Sequence, residues 1–201
     1  MQVKIYLYSF LFIMISVCNF FDKNNKVPNR PVHKYSVVIQ PLWNVNHKNV
    51  EELRDYIKVF IGSVTVNDPL EFPESLYYSP NKRYRADKTI KWLSTMAQKG
   101  EIYLGITTLD ISTTKGDYKD FGVMGLGYKP GNACVISSFR LKDKNKIPIL
   151  AIHELGHTFG LPHCPEKGCY MKDAEGKDHT SHLNGFCKNC TIYLTDRGWS
   201  L

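Results

Sequence analysis

The stretch "AIHELGHTFGLPHCPEKGCYM", residues 151–171, constrains the chain more than any other. On a helix, His153 and His157 stand at i and i+4, so their imidazoles project from one face a single turn apart. Two imidazoles placed this way can bind one metal ion at about 2.0–2.1 Å. Glu154 directly follows the first histidine, which sets its carboxylate beside the pair rather than in it. Gly160 lets the chain leave the helix through a positive φ, and that turn can bring His163 round as a third ligand. Three neutral ligands leave a fourth position for water, the feature that separates a catalytic zinc site from a structural one. The carboxylate of Glu154 can then take a proton from that water as a general base.

The flanks suit such a helix. "IPILAIHELGHTFG" carries Pro148 near its first turn and Gly160 at its end. Upstream, "YSVVIQPLW" from Tyr35 is β-branched and aromatic and predicts a strand that Pro41 stops or confines to an edge. "NVEELRDYIKVFIG" spaces Val50, Leu53, Tyr56, Ile57 and Phe60 for a helix ending at Gly62. "SVTVNDPLEF" predicts a second strand. "YRADKTIKWLSTMAQKG" predicts a second helix with Ile90, Leu93 and Ala97 on one stripe, ended by Gly100. "EIYLGITTLDI" is the most apolar strand, and "DFGVMGLGYKPGNACVISSFRL" predicts two short strands joined at Pro130-Gly131. The order βαβαβββα gives an α/β (α+β) fold: a twisted mixed sheet backed by helices, one carrying the site, followed by a small irregular C-terminal subdomain.

The N-terminus differs in kind. One charge, Lys4, precedes an apolar run from Ile5 to Val17, too short for a membrane span of about 20 residues and of the length of a secretory h-region. Residues 1–18 are therefore expected to be a signal peptide, residues 19–34 a polar linker, and residues 35–201 one domain. "ISVC" is similar to a bacterial lipoprotein box, so Cys18 is either a lipidated new N-terminus, which would attach the protein to a membrane, or lies near a plain cleavage site. Both place the protein outside the cytoplasm: periplasmic, membrane-anchored or extracellular. The charge of +7 comes from 26 Lys+Arg against 19 Asp+Glu, scattered along the chain. That pattern describes a solvated basic surface, and no nucleic-acid partner is expected.

Beyond the histidines, Cys164, Cys169, Cys187 and Cys190 form CxxxxC and CxxC pairs. Such paired spacing suits a Cys₄ zinc site. Export makes disulfides the rival, because exported proteins oxidise their cysteines. Cys134, within "ACVISS", is expected to be a buried apolar residue. His33, His47, His179 and His182 have no partner motif.

"HELGHTFGLPH" resembles the metzincin zinc peptidases, in which a glycine-turned histidine triple is followed by a methionine turn. Cys164 abutting His163, "PEKG", "CYM" with Met171, and the closing CxxC are similar to the archaemetzincins. "RYRADKTIKWL" and "DFGVMGLG" are similar as well, so the resemblance runs from about Tyr35 onward. It implies a zincin-like fold, His153, His157 and His163 as ligands of a catalytic zinc, Glu154 as general base and Met171 as the hydrophobic floor beneath the metal. It also implies a second, structural zinc on Cys164, Cys169, Cys187 and Cys190, hence two zinc ions per chain. The expected protein is a monomeric metallopeptidase that cleaves a peptide or protein substrate. The alternative is a zinc-binding interaction module with a vestigial histidine site, against which an intact Glu154 argues.

Overall fold

The computed structural model describes residues 35–201 apart from 175–177 and 179. The expected signal peptide, the linker, Cys18, His33 and His179 lie outside the described residues. Strand β1 (Ser36–Leu42) leads into α1 (His47–Ile61) and β2 (Val64–Val66). Strands β3 (Tyr77–Tyr78) and β4 (Arg83–Arg85) precede α2 (Ala86–Ser94). There follow β5 (Glu101–Thr107), β6 (Ile111–Lys115), β7 (Tyr118–Val123), β8 (Gly125–Gly127) and β9 (Ala133–Ser137). Helices α3 (Ile147–Thr158) and α4 (Lys188–Thr195) complete the order.

The main sheet runs β2-β1-β5-β9-β8, with β8 antiparallel on its edge and the other four strands parallel. Its strands are apolar on both faces because both faces are covered. Val37, Ile39, Ile102, Leu104, Ile106, Cys134 and Ile136 point to the side where α1 and α3 pack. Their neighbours Val38, Tyr103, Ala133 and Val135 point to the side of α2, against Ile90 and Leu93. This two-residue alternation makes three layers, and Cys134 sits fully buried in one of them, as a small apolar residue would. In α1 the buried stripe is Val50, Leu53, Ile57 and Ile61, with Asn46 capping the start through Lys48 N–H at 2.9 Å. Helix α3 is apolar almost all round and correspondingly buried.

Several expectations need correction. Pro41 does not end β1; it falls where β1 has outrun β2, whose pairing covers only Val37 to Ile39, so the position tolerates a missing donor. Helix α2 stops at Ser94, well before Gly100, because Thr95 and Met96 turn back with bonds to Trp92 and Leu93 carbonyls. "EIYLGITTLDI" divides between β5 and β6, and "DFGVMGLGYKPGNACVISSFRL" supplies three strands rather than two. A second sheet of order β3-β4-β6-β7 also forms. Its β6–β7 hairpin turns at Gly116-Asp117, with Gly116 at φ 57°, a two-residue signal of the kind glycine permits. The C-terminal subdomain contains α4, which starts at the CxxC.

Candidate metal centre

The histidine site is built on the end of α3. Leu161 N–H bonds Gly156 C=O at 3.0 Å and Gly160 N–H bonds His157 C=O at 2.8 Å, the paired closure of a Schellman turn. Gly160 holds φ at 100°, which a side chain rarely adopts, and a Cβ there would lie 2.7 Å from the Tyr193 hydroxyl. The turn has two consequences. It aims the Leu161 carbonyl back at His157, whose Nδ1–H donates to it at 2.7 Å. It also carries His163 to the pair, with ring centroids 5.4 Å from His153 and 4.8 Å from His157.

His153 is oriented from another direction, by Nδ1–H donating to Tyr170 C=O at 2.6 Å. With both Nδ1 atoms protonated, the Nε2 atoms of His153 and His157 carry lone pairs, and they face each other at 3.1 Å. A tetrahedral ion with bonds of about 2.0–2.1 Å needs nitrogens about 3.4 Å apart, so the pair fits a zinc ion. The third ring, His163, has Nδ1 at 3.3 Å from Asp173 Oδ2, the carboxylate–imidazole arrangement that orients metal-binding histidines. All three rings offer ligand atoms within 4.8 Å of one another. Burial holds the His153 pKa down to about 4, helped by His157, and lowers that of His157 against the opposing effect of its Leu161 bond. Neutral imidazoles are what a cation needs.

Glu154 is only 5% exposed and, among the described residues, makes no hydrogen bond or ion pair. Burial alone pushes its carboxyl up to about 8. It lies against β8, where a Cβ on Gly125 would meet Glu154 Oε1 at 2.4 Å and one on Gly127 would meet the Glu154 carbonyl at 2.7 Å. Two glycines on the edge strand thus let it close on α3. Met171 is fully buried beneath the helix, with its sulfur where a Cβ on Gly156 would stand, 2.5 Å away. A glycine inside an apolar helix is the one signal in the chain that marks this contact. The three histidines and Glu154 line a cavity of about 730 Å³, whose wall also includes β8.

Tyr170 does not line the cavity, and its hydroxyl pairs with that of Tyr56 at 3.2 Å. His47 is exposed at the start of α1, 4.0 Å from Glu51. Asp173 carries no motif of its own and becomes significant only through the fold.

The four cysteines converge in the C-terminal subdomain as free thiols. Cys164 and Cys187 have sulfurs 3.7 Å apart, Cys169 and Cys190 3.8 Å, and all four lie within 4.8 Å. A tetrahedral ion with bonds of about 2.3 Å needs sulfurs about 3.8 Å apart, whereas a disulfide needs about 2.05 Å. The spacing fits zinc. Cys187 stands at the N-cap of α4 and Cys190 in its first turn. Desolvation opposes ionisation of Cys187, but its hydrogen bonds with Cys190 outweigh it and lower its pKa, whereas burial raises that of Cys190.

Known proteins resemble the chain in sequence and in fold. The sequence profile of peptidase family M54 matches residues 69–196, more than half of the chain. The archaemetzincin of Haloquadratum walsbyi is 34% identical over 128 residues, covering 56% of this chain and 71% of that protein. The archaemetzincin of Methanocaldococcus jannaschii is 29% identical over 180 residues, covering 81% and 94%. The crystal structure of the Methanopyrus kandleri archaemetzincin superposes with a TM-score of 0.69 at 24% identity, covering 83% of this chain and 97% of that one, and shares its fold. The chain therefore belongs to peptidase family M54, the archaemetzincins, and is a zinc metallopeptidase.

Proposed function

We propose that the protein hydrolyses peptide bonds with His153, His157 and His163 holding the catalytic zinc and Glu154 acting as general base. The observation that carries this reading is a buried carboxylate without a partner among the described residues, lining one cavity with three converging imidazoles. The ion, when bound, supplies a Lewis acid that polarises the scissile carbonyl and makes water more acidic. Glu154 accepts the proton of the attacking water at its carboxylate and passes it to the leaving nitrogen. Its desolvated setting favours the first transfer, because burial disfavours the anion and raises its affinity for the proton. Strand β8 ends the sheet and lines the cavity, so an extended peptide can pair with its outer edge and lie across Glu154. Met171 keeps the floor beneath the histidine pair packed and apolar.

Cys164, Cys169, Cys187 and Cys190 hold a second, structural zinc in this reading, giving two ions per monomer. Residues 1–18 serve as an export signal ahead of the 19–34 linker and the 35–201 domain. The mature protein then lies outside the cytoplasm, with lipid on Cys18 as the alternative to plain cleavage. Sequencing the N-terminus of the cellular protein checks this, and a full-length cytosolic chain would overturn it. The catalytic assignment is tested by Glu154→Gln, which keeps size and polarity but removes the base. Zinc should stay bound, while hydrolysis of a peptide library should fall by at least about 10²-fold, or roughly 2.7 kcal/mol of barrier. Equal rates for the two proteins would refute the role of Glu154.

A further inference from the structure

The cavity has a fixed cation on its wall that the chemistry above does not use. Arg140 lines it, on the segment that follows β9. Its Nε donates to Asp110 Oδ1 at 2.7 Å and its Nη2 to Asp110 Oδ2 at 2.8 Å. A two-pronged pairing of this kind sets the plane of the guanidinium. Asp110 also accepts from Arg83 Nε at 2.8 Å, and Arg83 in turn donates to Asp120 Oδ2 at 2.9 Å, so Arg140 shares its carboxylate with a second guanidinium. The Arg140 side chain remains 33% exposed, and its Nη1 edge takes no part in the bonds to Asp110. It lies across β7 at Gly122, where a Cβ would fall 2.3 Å from the guanidinium carbon. Only glycine leaves room for it there.

The rest of the wall leans the same way. Lys115, Lys129, Lys142 and Lys172 also line the cavity. Of the three carboxylates among its described lining residues, Glu154 is the proposed base and Asp173 stands against His163. Asp178 is committed to the Lys142 N–H at 2.9 Å and to the Thr180 hydroxyl at 2.7 Å. Among the described lining residues, the charge left to meet a ligand is positive. The site of Arg140 is also close to the chemistry. Gly122 touches Arg140 and Gly125 touches Glu154. Three residues of chain span at most about 11 Å, the length of about three residues of an extended peptide.

We infer that Arg140 is a specificity-determining residue that receives an acidic side chain of the peptide substrate, within about three positions of the bond cleaved. The inference rests on the peptidase reading of this cleft. A carboxylate matches the guanidinium edge in charge and in geometry, and an amide of the same shape matches it in shape alone.

The test uses zinc-loaded protein and peptides blocked at both ends that differ only by Glu or Gln, placed in turn at the three positions on each side of the cleaved bond. At one position the Glu peptide should show about tenfold higher kcat/KM, equivalent to about 1.4 kcal/mol. Arg140→Gln should bring that ratio below about threefold, and Arg140→Lys should retain part of it. Gly122→Ala, which pushes the guanidinium aside without removing its charge, should lower the ratio too. Because the ratio compares two peptides on one protein, a general loss of folded enzyme cancels. The same peptides are also titrated into the Glu154→Gln protein by fluorescence anisotropy, a readout that needs no turnover. A library that wild type never cleaves refutes the peptidase reading, and the binding titration still decides on Arg140. Equal affinity for Glu and Gln peptides at every position, or a ratio unchanged by Arg140→Gln, overturns the inference. A Gln peptide with a free C-terminal carboxylate is the remaining arm, and a preference confined to it overturns the side-chain assignment.

Discussion

Replacing Gly160 by alanine tests whether the turn after α3 builds the histidine site. The residue holds φ at 100°. Placing a side chain in the left-handed region costs about 1–2 kcal/mol. The new Cβ would also stand 2.7 Å from the Tyr193 hydroxyl, whose next nearest atom, Cζ, is 3.9 Å away. Relieving that contact requires only the hydroxyl to move, a cost of about 0.5–1 kcal/mol at the low end of overpacking. Against these, alanine restricts the unfolded chain and returns about 0.4–1 kcal/mol. The net expectation is a loss of about 1–2 kcal/mol, or about 2–8 °C in Tm for a chain of this size. The turn also aims the Leu161 carbonyl at His157 and sets His163, so zinc affinity at the histidine site should fall by at least about tenfold, the range seen when groups that orient metal ligands are lost. Thermal melts and competition with a chromogenic chelator measure the two effects. Tyr193→Phe removes the obstructing oxygen, so the double variant should regain the steric share of stability and not the strain. Stability and zinc affinity within about 0.5 kcal/mol of wild type in Gly160→Ala would refute the reasoning, since a surface change with no structural role gives that result.

Two further outcomes follow from the cysteines and the charge network. Metal analysis of protein purified without chelator should give two zinc ions per chain; Cys187→Ser should lose one and destabilise the C-terminal subdomain, because a metal that closes a loop contributes directly to folding, whereas two disulfides by mass would overturn the assignment. Asp120 lies below the usual carboxylate range: desolvation opposes this, and the hydrogen bonds from Asn81 and Arg83, with the Arg83 charge, outweigh it. A depressed folded pKa stabilises above the unfolded value near 3.8 and is lost as pH falls through the folded one, so Asp120→Asn should cost about 1–3 kcal/mol at pH 7, and urea unfolding should show that cost shrinking below about pH 4. A cost independent of pH would contradict this account.

What the amino-acid pattern alone determined is local. The spacing of His153, Glu154 and His157, the turn at Gly160, and the return of His163 lie within eleven residues, and helix geometry sets them without help from the rest of the chain. The apolar runs of β1 and β5 and the stripe of α1 were legible for the same reason. The pairing of CxxxxC with CxxC was legible as a spacing, although only the convergence of the sulfurs at 3.7 and 3.8 Å separates a zinc geometry from a disulfide. The second sheet was not legible as a sheet: β3 and β4 are two and three residues long, and β4 joins the rest of the sheet only by pairing with β6, beyond α2 and β5. Tertiary structure decided the environment of the site. It brought Gly125 of β8 against Glu154, Met171 against Gly156, the Tyr170 carbonyl to His153, and Arg140 across Gly122. Each of these contacts depends on which face a strand or helix presents, and a register shift of one residue would reverse every face in a strand. Local periodicity names the groups that can do chemistry, and the packing of sheet on helix sets their ionisation and what they meet.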